Sequence, residues 1–286
     1  RFSALIDEAS GKARDGAIVK VDDMTVQLNL SVPDIAIIPN MADYPALIVH
    51  RSYEETGSNL SANPIGTGPF ELESHEVGKK ARVVRRKDGK WWGGEANLDA
   101  IEFTDYGNDP AVEMAAWGSG DVDLNQQSGE NFLDQLDAVG ATRNSIATAN
   151  TVVARMNVGQ EPYTDKRVRQ AIQAAVDNAV VLELGISGLG TVAENHHVSP
   201  IHPEYAELPK QVRDPAKAKA LLEEAGKADF EFDLISIDQD YHQTSCDAIA
   251  AQVRDAGIAI KRTVIPGSTF WNDWTKYPFS MTNWNM

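Results

Sequence analysis

The sequence predicts an α/β protein, and three observations carry that expectation. Residues 230–235 (Phe-Glu-Phe-Asp-Leu-Ile) and 258–264 (Ile-Ala-Ile-Lys-Arg-Thr-Val) read as strands on either side of a helical segment, a βαβ unit that favours parallel pairing and a right-handed crossover. The first half reads as short alternating strands broken by turns, with few helices. The length, 286 residues, gives about two domains at roughly 150 residues each.

Taken in chain order, Val26-Gln27-Leu28-Asn29-Leu30 alternates as a half-buried strand, and Pro33 closes it. Pro39, Pro45, Pro64 and Pro69 punctuate a loop-rich stretch. Residues 70–86 read as a hairpin turning near Gly78-Lys79, and residues 98–106 alternate again. Asp109-Pro110 opens a helix that the pattern ends at Gly118. Thr151-Val152-Val153-Ala154-Arg155-Met156-Asn157 is a β-branched strand in a stretch where composition changes, so the domain boundary is expected near 147–158. A strand joining two lobes acts as a hinge. The clearest helix spans 165–184, with Val168, Ile172, Ala175, Val176 and Ala179 on one face and Gly185 as its stop. Asp214-Pro215 opens another that ends at Gly226, and a further helix is expected from Ser245 to Ala256, closed by Gly257.

Composition excludes several function classes. With 26 basic and 42 acidic residues, the formal net charge is −16, which argues against a nucleic-acid partner. Hydrophobic residues at 42% are too many for a disordered chain. No run approaches the roughly 18 apolar residues of a membrane span. Cys246, the single cysteine, forms no internal disulfide, and its expected place at a helix start would favour a thiolate. Arg1-Phe2-Ser3 shows neither an initiator Met nor a signal peptide, so the chain is expected to be processed or an excerpt of a longer one.

Catalytic patterns are sparse. His196, His197 and His202 lie close in sequence, without the spacing of a His-Glu-x-x-His or Cys-x-x-Cys metal site, so no metal or other cofactor is expected. Gly66-Thr67-Gly68-Pro69 resembles a phosphate loop only superficially, because Pro69 removes a donor and no Lys follows. It reads as a rigid turn. Asp121/Asp123 and Glu223/Glu224 read as solvated acidic faces. The aromatic residues are more suggestive: Phe270-Trp271-Asn272 and Asn283-Trp284-Asn285 combine rings with amides, as a small-molecule site does.

Five segments in fixed order carry a family resemblance. Asn63-Pro64-Ile65-Gly66-Thr67-Gly68-Pro69-Phe70 resembles the Pro-x-Gly-Thr-Gly-Pro-aromatic signature of the family 5 extracellular solute-binding proteins, the peptide- and nickel-binding receptors of ABC importers. Residues 87–92, ending in Trp91-Trp92, and Gly118-Ser119-Gly120-Asp121-Val122-Asp123 are similar to later family segments. So are Asn157 with Pro162-Tyr163 and Asp165-Lys166-Arg167-Val168-Arg169-Gln170-Ala171-Ile172. Residues 214–226 lie near the family consensus.

The resemblance implies a two-lobed periplasmic-binding-protein fold (class II, clamshell) with mixed sheets and an incomplete first lobe. Residues 1–152 would be the partial lobe I, 153–279 lobe II and 280–286 a second hinge strand returning to lobe I. It implies a receptor, not an enzyme, that captures a peptide or similar small polar ligand in the interlobe cleft and delivers it to ABC-transporter permease subunits. The alternative ligands are nickel, a metal chelate or an oligosaccharide. It would be periplasmic, or an extracellular lipoprotein, meeting the membrane only through the transporter or a lipid anchor. The candidate ligand-binding residues are Asn283 and Trp284, then Phe270, Trp271, Gln239, Tyr241, His242, Asn195 and His196. The choice rests on the expectation that open α/β sheets bind ligands at strand ends and βα loops.

Overall fold

A computed structural model describes residues 2–41, 46–88, 91–107, 109–126, 128–129, 132–196, 198–238 and 240–284. The chain forms two compact units, Arg1–Gly107 and Asn108–Met286. In the first unit, β1 (Ile18–Lys20) pairs antiparallel with β2 (Val26–Leu28), and α1 (Ile37–Met41) follows. Leu5, Ala17 and Ile37 make its small core. The expected hairpin forms as β3 (Phe70–Glu76) and β4 (Lys80–Arg85), with Gly78 at φ +70° in the turn, where a glycine carries no Cβ penalty. β5 (Ala100–Thr104) completes an antiparallel sheet in the order β3-β4-β5. Neither Gly66 nor Gly68 takes a positive φ; the loop is held by the Arg86 guanidinium donating to the Gly66 carbonyl at 2.7 Å.

The second unit opens with α2 (Pro110–Ser119) and α3 (Leu133–Ala138), then builds one mixed sheet. Its strands are β6 (Thr151–Met156), β7 (Phe232–Ile237), β8 (Ile260–Ile265) and β9 (Phe279–Trp284), in the order β6-β9-β7-β8. β6 runs antiparallel to β9, whereas β7 is parallel to both β8 and β9. The helices are α4 (Lys166–Ala175), α5 (Asn178–Ile186), α6 (Pro215–Glu224), α7 (Asp240–Asp255) and α8 (Gly267–Asp273). Val168 and Ile172 of α4, Leu222 of α6, Ile249 and Val253 of α7, Phe232 and Leu234 of β7, and Phe279 and Met281 of β9 share one core with Tyr163. Each large apolar side chain buried in this way contributes about 1.5–3 kcal/mol before its ordering cost.

Four sequence expectations are corrected here. Helix α2 passes through Gly118 and ends where Gly120 adopts φ +77°. The helix expected over 165–184 is two helices, because Val176 turns extended and Asp177 caps α5 through its carboxylate and the Ala179 N–H. The buried Gln252 amide stabilises that break by accepting from the Asp177 N–H (2.8 Å) and donating to its carbonyl (3.2 Å). Val176 is therefore only half-buried and Ala179 is exposed, while Gly185 is a buried helical residue against Ser245, with Ser187 at φ +53° as the terminator. Third, α7 starts at Asp240 and not at Ser245, which places Cys246 inside the helix; burial pushes its thiol up to about 12, so it is an inert core group. Fourth, α8 fills the stretch after β8, where only an aromatic cluster was expected.

The two misplaced glycine stops have opposite consequences. Gly118→Ala, at an exposed site with no heavy atom near the added Cβ, is expected to stabilise the protein by about 0.5–1 kcal/mol in urea denaturation. Gly185→Val places a Cβ 3.1 Å from Ser245 Cα and is expected to cost about 1–3 kcal/mol in the same measurement. Gln252→Leu leaves the Asp177 N–H without its acceptor, while the Asp177 carbonyl keeps the Val181 N–H, and is expected to cost about 1–3 kcal/mol.

Candidate functional site

The three parallel strands β7, β8 and β9 end on the same edge of the sheet, and most of the candidate residues follow those ends. Asp238, directly after β7, accepts from the Gly267 N–H at 3.2 Å and so links the ends of β7 and β8. Tyr241 and His242 lie in the first turn of α7 with their rings stacked, centroids 4.4 Å apart. From the end of β9, the Asn283 amide donates to the Tyr241 hydroxyl at 2.5 Å. Phe279, Met281 and Asn283 alternate onto one face of β9, which is why Asn283 meets α7, the helix that also covers Phe279 and Met281.

Polar capacity in this group is unspent. His242 is 1% exposed, and among the described residues neither ring nitrogen makes a well-aligned hydrogen bond, with the Asn283 side chain as its polar neighbour; Asn283 Oδ1 is likewise buried without a well-aligned one. Burial lowers the His242 pKa to about 4, an effect only partly offset by the neighbouring Asn283. The imidazole is therefore neutral over the physiological range. A neutral imidazole and an amide oxygen can exchange hydrogen bonds with an uncharged polar group such as a peptide amide.

Ser280, Thr282 and Trp284 alternate onto the other face of β9. There the Trp284 indole donates to Thr282 Oγ1 at 3.1 Å, and its ring lies edge-on to Trp274 with centroids 6.0 Å apart. Trp274 in turn meets Trp271 at 6.4 Å. Phe270 is fully buried, in contact with Trp271 and Tyr277, whereas Trp271 is 47% exposed. Arg155 reaches this face from β6 and places its guanidinium 4.8 Å from the Trp274 ring centre.

Asn195 and His196 make their bonds in a different group. Asn178 donates to Asn195, which has φ +59°, while His196 and Tyr205 both contact the Glu194 carboxylate, at 3.2 and 2.8 Å. His202 bonds Ser199. Gln239 and His197 lie outside the described residues. Among the described residues no group of three or more His, Cys, Asp or Glu side chains gathers as a metal site. Arg155 and Trp274 were missed as candidates. The available signal was a lone charge within the β-branched run 151–156, and for Trp274 its spacing from Trp271 on one short helical segment.

Comparison with known proteins agrees with this architecture. The profile of the bacterial extracellular solute-binding proteins, family 5 Middle, matches residues 4–286. The dipeptide-binding protein of Escherichia coli K12 is 28% identical over 224 residues, covering 73% of this chain and 40% of its own length. The glutathione-binding protein GsiB of Salmonella paratyphi A is 29% identical over 216 residues, covering 73% and 41%. The chain thus spans about two-fifths of the length of these curated relatives. Among solved structures, the binding protein AgaA of A. tumefaciens R10, in complex with agropinic acid, superposes with a TM-score of 0.80 at 24% identity, over 98% of this chain and 59% of that one. The murein tripeptide binding protein MppA of Escherichia coli gives 0.79 at 20% identity, over 99% and 59%. The α/β fold with mixed sheets is that of the two-lobed periplasmic binding proteins. Motif order, sheet topology and the match over residues 4–286 agree: the chain belongs to family 5 of the bacterial extracellular solute-binding proteins.

Proposed function

We propose that the full-length protein is the solute receptor of an ABC importer, that it captures a peptide or a similar small polar solute, and that it hands this solute to membrane permease subunits. It binds without making or breaking a bond, on the periplasmic or outer side of the membrane, free or held by a lipid anchor. In the whole receptor we assign residues 1–152 to lobe I, 153–279 to lobe II and 280–286 to the strand returning to lobe I.

The observation that carries the reading is the buried polar group of Asn283, Tyr241 and His242 at the carboxyl edge of the parallel strands, where among the described residues the His242 ring and Asn283 Oδ1 make no well-aligned hydrogen bond and Tyr241 fixes the Asn283 amide. Trp284 and the exposed Trp271 supply apolar contact, and the buried Phe270 supports Trp271 from behind. The Asn195–His196 group serves as a secondary contact. That curated relatives are named for dipeptides and glutathione supports a peptide-like solute.

Tryptophan fluorescence titration of the full-length protein with dialanine, trialanine and glutathione is expected to show saturable binding. Asn283→Ala and Tyr241→Phe are expected to weaken it by about five- to thirtyfold, the scale of one or two lost hydrogen bonds. Silence toward every peptide, with a response to a nickel–histidine chelate or an oligosaccharide, overturns the peptide assignment.

The neutral His242 also gives a pH signature. Its folded pKa, about 4, lies below the ordinary value of 6.5, so between these values the unfolded chain binds a proton that the folded chain does not. Stability is then lost as the pH falls through that window, by up to about 3 kcal/mol for this group. In urea denaturation at pH 7.5 and pH 4.5, His242→Phe is expected to lose less stability on acidification than the parent protein.

A further inference from the structure

We propose that Arg155 is a positioning residue for Trp284, acting through Trp274; the proposal rests on the reading that Trp284 contacts the solute. Arg155 pairs with Ser280 in the β6–β9 register, so its side chain emerges on the face that carries Ser280, Thr282 and Trp284. There one side chain holds Trp274 in two ways. The guanidinium stacks 4.8 Å from the ring centre, and its Nη2 donates to the Trp274 backbone carbonyl. The same Nη2 lies 3.5 Å from the fully buried Ser280 hydroxyl, which fixes the guanidinium against β9. The held ring is the one that meets Trp284 edge-on at 6.0 Å, while Thr282 receives the Trp284 indole N–H. The Trp284 indole is thereby gripped between its own strand and Trp274, and Trp274 between Trp284 and Arg155.

A salt bridge does not account for Arg155. Among the described residues no carboxylate pairs with it, although the chain carries 42 acidic residues. Desolvation alone pulls its pKa below the ordinary arginine value, and its Nε is buried without a partner among the described residues. A half-buried cation that gains no ion pair is compensated by the indole face and the carbonyl. Lysine would keep the charge but lose the flat stacking surface and the forked donors, so Arg155→Lys separates charge from geometry.

The test uses full-length protein labelled with 5-fluorotryptophan, each resonance assigned by its loss in a Trp→Phe variant. Arg155→Gln and Arg155→Lys are expected to move the Trp274 and Trp284 resonances and to leave those of Trp91, Trp92 and Trp117 in place. Both variants are expected to weaken dialanine binding by about three- to tenfold, the scale of one cation–π contact. Movement of Trp274 alone, with Trp284 unchanged, overturns the proposal, and so does a shift of all the resonances together, which marks a general structural role. If Arg155→Gln does not fold, Arg155→Lys carries the measurement. Should both resonances move while Trp284→Phe leaves dialanine affinity unchanged, the solute reading of Trp284 fails and the positioning role stands.

Discussion

The second unit depends on the insertion of its last strand, β9, between β6 and β7. That strand satisfies the backbone of β6 on one side, from Thr151 opposite Trp284 to Met156 opposite Phe279, and meets β7 on the other at Ile235 and Ser280. Without β9, β6 would have no partner and β7 would present an open inner edge, each with unpaired N–H and C=O groups. The pairing also spans more than a hundred residues of chain, so its closure entropy is met only after the βαβ unit of β7, α7 and β8 offers a template. The alternation of β9 then does two jobs at once. Phe279 and Met281 enter the main core, while Ser280 and Thr282, both nearly inaccessible, lie under the aromatic layer from α8 and the turn that follows it.

A second constraint sets where the helices stop. Arg213 donates from Nε to the Ala175 carbonyl at the end of α4 and from Nη2 to the Gln252 carbonyl in α7, at 2.8 and 2.9 Å. The Gln252 side chain turns the other way and holds Asp177, the cap of α5. Three helix segments thus share one polar junction, and a buried glutamine that reads as an ordinary helix residue is what divides 165–184 into two helices. Polar junctions of this kind hold helices at fixed relative positions because each unmet partner carries a desolvation penalty.

This junction shows what was legible in the sequence and what was not. Strands 70–76, 80–85 and 151–156 lay within about three residues of their expected bounds, because alternation and β-branching are local signals. The caps Asp109, Asp165 and Asp214 were likewise local, each accepting from a nearby backbone N–H. Gly118 and Gly185 misled because glycine marks a stop only where the chain needs a positive φ or has no reason to continue. Gly185 is a glycine inside the helix because the Ser245 backbone leaves no room for a Cβ, a contact 60 residues away that no local pattern encodes. The start of α7 at Asp240 was hidden for a similar reason. Tyr241 and His242 read as a polar loop until β9 brings Asn283 beside them, bonded to the Tyr241 hydroxyl.

The candidate site follows the same division between local and distant information. Asn283 and Trp284 are neighbours in sequence, yet strand alternation sends them to opposite faces, one to Tyr241 and His242 and the other to Trp274. A reading that groups them by sequence treats them as one patch; the pleat makes them two arms around a strand end. The arms differ in chemistry as well. The α7 side offers a neutral imidazole and an amide with unmet hydrogen-bonding capacity, suited to an uncharged polar group. The α8 side offers indole surfaces backed by a guanidinium, suited to an apolar or π-bearing group. A small peptide combines these two chemistries, with amide groups along its backbone and apolar side chains projecting from them. On the proposed reading, a peptide-like solute would meet the strand end from both faces, through hydrogen-bonding groups on the α7 side and indole surfaces on the α8 side.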